Sequence, residues 1–306
     1  MARPAGRAEV SLGGKGVTQT YHARRSWPRP AVLGLLAALG ASLPSIASSQ
    51  TPSPLQEWQY PGGTILDKVF DPNLPEWRVV LGAALASMPR YDGARPYRTT
   101  PAPVIDIRYE DIAFFSVGEG LGMNIVHGDR YRAGIALGYD LGRPYSDDYP
   151  HLHGLADIGP APVVKAFASY VVSKKFPLVL RVDVRRIVGG ANGLLGDVEA
   201  FMPLPGSSRK FVMFAGPSMT FANRRYLQTV FGVTESQSLA SGYPMYTARG
   251  GSMAAGLGFS ATRFITPRWM FNVDAAWNRL RGSARDSPIT QSAVQGVLEL
   301  STEYRW

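Results

Sequence analysis

Across residues 294–306 apolar and polar positions alternate almost without a break. Val294, Gly296, Leu298, Leu300, Thr302, Tyr304 and Trp306 fall on one side. Gln295, Glu299, Ser301, Glu303 and Arg305 fall on the other, and only Val297 departs from the pattern. Side chains on a strand point to opposite faces with period two, so this segment predicts a strand with one oily and one charged face. The same period runs through Trp77, Val79, Leu81, Ala83 and Leu85, and through Tyr131, Ala133, Ile135, Leu137 and Tyr139. It recurs in Leu178, Leu180, Val182 and Val184, and in Trp269, Phe271, Val273, Ala275 and Trp277. Segments of about ten residues separated by turn signals have the spacing of barrel strands.

A barrel with two such faces can be soluble, with the oily side inward, or membrane-spanning, with the oily side outward. Two features favour the second. Trp77, Tyr131, Tyr170, Trp269, Trp277, Tyr304 and Trp306 sit near strand ends, where an interfacial girdle would place them. Connections also alternate in length: those near 127–129, 173–176, 203–209 and 265–268 are short, whereas those near 142–161, 188–193, 222–251 and 281–292 are mostly longer. Short periplasmic turns and long outer loops give this rhythm. The expectation is an all-β, transmembrane, antiparallel up-and-down β-barrel over residues 77–306, with Tyr304 and Trp306 as its membrane-insertion terminus. Counting back from Trp306 reaches eleven strands at Trp77, and single-chain bacterial barrels normally have an even number. Twelve is expected, with the further strand within 60–72; ten results if 103–126 has been over-divided.

The N-terminus adds a compartment. Arg24, Arg25 and Arg29 precede an apolar run at 31–43 that is too short to span a bilayer, and Ser45-Ile46-Ala47 supplies small residues. This is the layout of a cleaved secretory signal peptide over 1–47. Residues 48–76, with Pro52, Pro54, Pro61, Pro72 and Pro75, read as an irregular periplasmic lead-in. The leader holds six cations against Glu9, so a total of +9 leaves +4 on the remainder. The remaining Lys and Arg are scattered rather than gathered on one face, which argues against nucleic acid as a partner. Cysteine is absent, which removes disulfides, thiolate metal sites and cysteine nucleophiles together. A closed barrel holds itself together without them, because every strand is paired on both edges.

The polar faces of the strands supply a candidate lumen: Arg132, Asp140, Lys165, Arg181, Asp183, Arg185, Asp197, Glu199, Asp274 and Glu299. Such mixed charge either plugs a narrow barrel or lines a pore. Loop 222–251 is the candidate recognition or constriction loop, because Tyr226, Phe231, Tyr243 and Tyr246 give it more aromatic surface than a solvated loop needs. It enters the barrel mouth, packs on neighbouring loops or binds a partner. Asp147, Asp148, His151 and His153 have metal-ligand chemistry. A polar loop in which an Asp pairs with Arg143 explains them better, and no metal or other cofactor is expected. Gly189-Gly190-Ala191-Asn192-Gly193 reads as a tight loop with positive φ rather than a phosphate cradle, since it comes after a strand and lacks a Lys-Ser/Thr ending. His127 belongs to a short turn. No spacing places a Ser beside one of the histidines as nucleophilic catalysis requires, so no enzymatic activity is expected.

Several loop segments are more specific. Residues 226–234 (YLQTVFGVT) and then 241–246 (SGYPMY) resemble the signature stretch of the MipA/OmpV family of outer-membrane proteins. Pro89-Arg90-Tyr91-Asp92-Gly93, Gly142-Arg143 with Asp147-Asp148, 153–158 (HGLADI) and 286–290 (DSPIT) resemble it in order and spacing over the rest of the chain. The resemblance implies a barrel of the Gram-negative outer membrane in contact with lipid and lipopolysaccharide. It further implies a non-enzymatic scaffold linking a murein lytic transglycosylase to a murein synthase in peptidoglycan remodelling, with a porin-like channel or a surface adhesin as the alternatives. It carries no catalytic motif.

Overall fold

In a computed structural model, residues 75–306 are described; the leader 1–47 and the lead-in 48–76, apart from its last two residues, lie outside them. Twelve strands close into one barrel in which every neighbouring pair runs antiparallel. In chain order they are β1 (Trp77–Pro89), β2 (Tyr97–Tyr109), β3 (Ala113–Ser116), β4 (Gly120–His127), β5 (Tyr131–Asp140) and β6 (Ala161–Val171). They continue as β7 (Val179–Ile187), β8 (Leu194–Pro203), β9 (Phe211–Ala222), β10 (Gly251–Phe264), β11 (Trp269–Leu280) and β12 (Val294–Arg305). β12 returns to β1 with Val80 opposite Arg305 and Ser87 opposite Leu298, so no edge is left open.

The count of twelve stands, but its source differs from the expectation. The extra strand of the closed barrel lies between 97 and 127, where three strands stand; the segment 60–72 lies outside the described residues. β1 already has β12 on one edge and β2 on the other. The strand that periodicity misses is β3, whose four residues are too few to display a period. Its tight connections, 110–112 and 117–119, look in sequence like parts of one longer element.

The faces are sorted as a lipid-immersed barrel requires. Leu85, Leu121, Met123, Ile135, Leu137, Val164, Val182, Val184, Val198, Leu257, Leu298 and Leu300 are exposed on the outer wall. The alternate positions, among them Arg108, Arg132, Lys165, Arg181, Asp183, Arg185, Asp197, Glu199 and Asp274, are buried inside. Exposing so much contiguous apolar surface to water would be costly; against acyl chains it costs nothing. Aromatic belts mark both rims. At the turn end Trp77 meets Tyr109 at 4.8 Å, Trp269 meets Tyr304 at 5.1 Å and Tyr304 meets Trp306 at 4.5 Å. At the loop end Tyr97, Tyr139 and Trp277 are exposed on the outside. Both termini of the barrel lie at the end with the short turns.

The interior is layered. Near the turn end, Val171, Val179, Phe201 and Phe214 from β6–β9 form an apolar floor. Charged side chains fill the middle. At the loop end the connections fold over the mouth as short helices: α1 (Tyr149–Leu152), α2 (Arg224–Phe231), α3 (Glu235–Ser241) and α4 (Gly282–Arg285). Among the described residues no helix is long and apolar enough to cross a membrane, which says nothing against strands doing so.

Candidate functional site

The middle layer is built on the parity of β7. Arg181, Asp183 and Arg185 share its inner face, and the register sets Glu199 opposite Arg181 and Asp197 opposite Asp183 on β8. Arg185 Nη2 lies 2.5 Å from Asp197 Oδ2, and its Nε lies 3.4 Å from Asp183 Oδ1. Arg181 Nε stands 3.8 Å from both Asp183 and Glu199. Thr220 Oγ1 on β9 donates to the other Asp197 oxygen at 2.6 Å. A second group gathers around Arg108 on β2, whose Nε donates to Asp106 Oδ2 at 3.1 Å and which pairs with Glu119 from the 117–119 connection. A third joins Arg132 on β5 to Asp111, whose backbone carbonyl accepts from Asn124 Nδ2 at 2.9 Å.

Two phenylalanines connect the first two groups. Arg181 lies over the Phe167 ring at 5.1 Å, Arg108 over the Phe114 ring at 5.3 Å, and the two rings are 5.8 Å apart. Phe114 and Phe167 stand on β3 and β6, so their rings must lie across the intervening β4 and β5. Glycine makes that possible: a Cβ on Gly122 would stand 2.3 Å from the Phe114 Cζ, and one on Gly134 2.9 Å from the Phe167 Cζ. Desolvating this many charges is expensive, and mutual pairing offsets the cost rather than adding net stability. The arrangement ties the inner faces of β2, β3 and β6–β9 together through paired side chains.

The wall formed by β11 and β12 is different. Asp274 and Glu299 are direct register partners, and Glu303 stands further along the same inner face. Asn272 bonds Asp274, and Ser301 Oγ donates to Glu303 at 2.5 Å.

Above the charged layer lies the lid. Tyr226, Leu227, Val230 and Phe231 form one face of α2, a helical spacing, and pack on inward side chains of β6–β11, including Val163, Ile187, Leu195, Ala222, Ala254 and Leu280. Asn223 caps the helix by accepting from the Tyr226 backbone N–H at 2.9 Å. Gly193 allows the approach, because a Cβ there would come within 2.3 Å of the Tyr226 Cβ. The last carbonyls of α2 lack partners within the helix and are bonded from neighbouring loops. Arg143 Nη1 donates to the Val230 carbonyl at 2.7 Å and Ser287 Oγ to the Phe231 carbonyl at 2.6 Å. A second cluster of Tyr91, Ala94, Leu152, Leu155, Val233 and Ile289 covers the remaining loops, with Tyr243 and Tyr246 packed against it.

Burial tunes the groups under the lid. Asp92 is pushed up to about 6 by burial and by the Asp140 carboxylate, against the pull of Arg143 and Arg185. Burial likewise pushes Tyr91 up to about 12, and with Asp92 and Asp140 nearby it raises the Tyr226 phenol. None of these phenols ionises at neutral pH.

Of the candidate lumen residues, Arg132, Lys165, Arg181, Asp183, Arg185, Asp197, Glu199 and Asp274 lie buried in the interior, and Glu299 is half-buried opposite Asp274. Asp140 sits at the mouth, where its Oδ1 accepts from the Gly142 N–H at 2.7 Å. Of the loop aromatics, Tyr226 and Phe231 are inside the lid and Tyr243 and Tyr246 are partly buried. Tyr246 exchanges two backbone bonds of 2.9 Å with Val233. Tyr304 and Trp306 join the turn-end aromatic belt. The expected pairing of Arg143 with a neighbouring Asp is corrected. Arg143 is drawn under the C-terminus of α2, while Asp147 pairs with Arg98 at 3.4 Å and Asp148 bonds His151 and Gln291 at 3.0 Å. Among the described residues no group of three or more His or carboxylate side chains has metal-site geometry. In the 188–193 loop Gly189, Gly190 and Asn192 all adopt positive φ. Sequence reasoning missed Asp106, Arg108, Asp111 and Glu119. The shared parity of Asp106 and Arg108 was available as a signal, but nothing local ties Glu119 to either.

A closed antiparallel barrel of twelve strands, greasy outside, ionic within and capped by packed loop helices, defines a transmembrane barrel with an occluded mouth. Residues 81–306 match the family described as MltA-interacting protein MipA, and the chain belongs to that family. No curated protein sequence matches the chain. Among solved structures, outer-membrane expressed OmpT of Vibrio cholerae is 8% identical, with a TM-score of 0.36 over 75% of this chain and 97% of that one. OprD from Pseudomonas aeruginosa is 11% identical, with a TM-score of 0.34 over 67% and 55%. An outer membrane channel from Pseudomonas putida F1 is 8% identical, with a TM-score of 0.35 over 76% and 97%. At scores this low the likenesses carry no argument about function.

Proposed function

We propose that this chain is a non-enzymatic scaffold of the outer membrane, an occluded barrel that holds a murein lytic transglycosylase and a murein synthase at its periplasmic face. The observation that carries the reading is the lidded, charge-paired interior. An apolar floor on β6–β9, paired charges above it and the α2 lid at the mouth narrow the route a diffusion pore would need, which favours the turns and loops as working surfaces. The turn end suits a docking role. Arg130, Lys174, Lys175, Arg209, Lys210 and Arg268 are exposed on four consecutive turns, and Asp129 is the one acidic residue within those four turns. The family description, an MltA-interacting protein, supports a partner of the murein-cleaving kind. On this reading the loop end faces outward, and the wall meets lipid with lipopolysaccharide around the loops.

Affinity capture with the purified barrel tests the proposal. Wild-type protein should retain a lytic transglycosylase, and the reversal Lys174→Glu, Lys175→Glu, Arg209→Glu, Lys210→Glu should lose it while keeping the heat-modifiable mobility of a folded barrel. Equal retention by both proteins, or none by wild type, counts against the scaffold. The charged interior favours a second reading, a small-solute channel. Steady conductance of the wild-type barrel in a planar bilayer would put that reading first.

A further inference from the structure

Five arginines stand together at the loop end. Arg224 and Arg225 open α2, Arg249 precedes β10, and Arg279 and Arg281 stand at the end of β11; all five are exposed. Backbone contacts hold these segments side by side. Arg249 N–H donates to Ser283 Oγ at 2.8 Å, Arg281 N–H donates to the Met253 carbonyl at 2.8 Å, and a Cβ on Gly250 would come within 2.8 Å of Arg224 N. The neighbouring Arg285 is already paired with Asp286 at 2.7 Å. Among the described residues none of the five has a carboxylate within ion-pair distance. Like charges on one rim repel, and a multivalent anion seated on them relieves that repulsion.

The wall below the patch narrows the identity of that anion. Arg279 shares the outward face of β11 with Trp277, which is 48% exposed, and Leu257, its register partner on β10, is 56% exposed. Phe221 on β9, whose register partner is Ser252, is exposed higher on the same wall, nearer the arginines. A soluble acidic protein has no use for an apolar wall continuous with its basic contact, whereas an amphiphile uses both. Guanidinium forks match phosphate oxygens in pairs. We infer that the β9–β12 wall with Arg224, Arg225, Arg249, Arg279 and Arg281 is a docking site for a phosphorylated glycolipid of the outer leaflet. Its acyl chains lie along Phe221, Leu257 and Trp277, and its phosphates meet the arginines. The inference rests on the proposed outward orientation of the loop end.

Native mass spectrometry of the full barrel in detergent micelles doped with bisphosphorylated lipid A tests the site. Wild type should retain the lipid, and the combined Arg225→Glu, Arg249→Glu, Arg281→Glu variant should bind about tenfold more weakly or worse, with a similar loss for dephosphorylated lipid A. The corresponding Gln variant should fall between, and it replaces the reversal if that chain does not fold. Arg95→Glu, an exposed cation of the neighbouring β1–β2 loop that is not one of the five, should bind as wild type, which separates the site from a general loss of positive charge. Equal retention by the triple variants, equal binding of dephosphorylated lipid, or full competition by inorganic phosphate overturns the inference. Neither murein-enzyme capture nor conductance involves these arginines, so failure here leaves the scaffold reading to its own tests.

Discussion

Truncating Leu227 and Phe231 to alanine should release the lid while the barrel stays intact. Both side chains are 0% exposed, enclosed by inward residues of β6–β11 and by Ala284 of α4. Removing a buried Leu costs about 2–5 kcal/mol and a buried Phe about 3–5 kcal/mol, transfer and cavity terms together. The two touch the same cluster, so their effects are not independent, and about 4–6 kcal/mol is the reasonable sum. No ladder hydrogen bond of the barrel is lost, and the Asn223 cap and the Arg143 and Ser287 bonds to α2 remain. The loss therefore falls on local opening of the lid rather than on global unfolding. At about 1.4 kcal/mol per tenfold change, amide protection in α2 should drop by roughly three to four powers of ten, up to the point where the lid is open most of the time. Hydrogen exchange read by mass spectrometry has two suitable reporters. The Leu227 N–H is bonded to the Asn223 carbonyl at 3.1 Å, and the Gly232 N–H to the Gln228 carbonyl at 3.0 Å. Both should exchange far faster in the double variant, while amides of β7 and β8 should keep their wild-type rates. Unchanged exchange at Leu227 and Gly232, or an equal acceleration in β7 and β8, would refute the argument that the lid is a separate packed layer.

Arg185→Ala removes the closest cation from Asp183 and Asp197 in the interior and should destabilise the barrel by about 3–5 kcal/mol, measured as a lower urea midpoint in lipid vesicles. Adding Asp197→Ala should recover part of that loss, and no recovery would mean the pair is not coupled. Asp92 is held at about 6 against an ordinary 3.8, so the folded state keeps its proton in that interval while the unfolded chain releases it. Stability should therefore fall as pH rises from about 4 to about 6 and then level off. Asp92→Asn should flatten that slope and stabilise the protein at pH 7 by about 1–3 kcal/mol, as thermal melting at pH 4 and pH 7 would show. Gly122→Ala drives a methyl group into the Phe114 ring and should cost about 1–3 kcal/mol. Phe114→Leu in the same chain should relieve the cost if the ring is what it meets; an additive loss would locate the strain elsewhere.

Which residues share a wall was legible in the chain alone. Period two is local, so Arg181, Asp183 and Arg185 had to lie on one face of their strand and Leu180, Val182 and Val184 on the other, whatever the rest of the chain did. Contacts between residues far apart along the chain had no such local signal and needed the assembled barrel. The four residues of β3 pair because β2 and β4 present their edges to them. Glu119 reaches Arg108 because the 117–119 connection turns back over the lumen. The helical spacing of Tyr226, Leu227, Val230 and Phe231 is present in the sequence, but it covers only an eight-residue helix inside a long connection. That this face points down into the mouth depends on the six strands whose apolar tips receive it. Arg143 illustrates the difference best. Its nearest carboxylates further along the chain are four and five residues away, yet it bonds a helix-end carbonyl 87 residues distant, because that carbonyl lacks a partner and closure of the barrel brings it within reach.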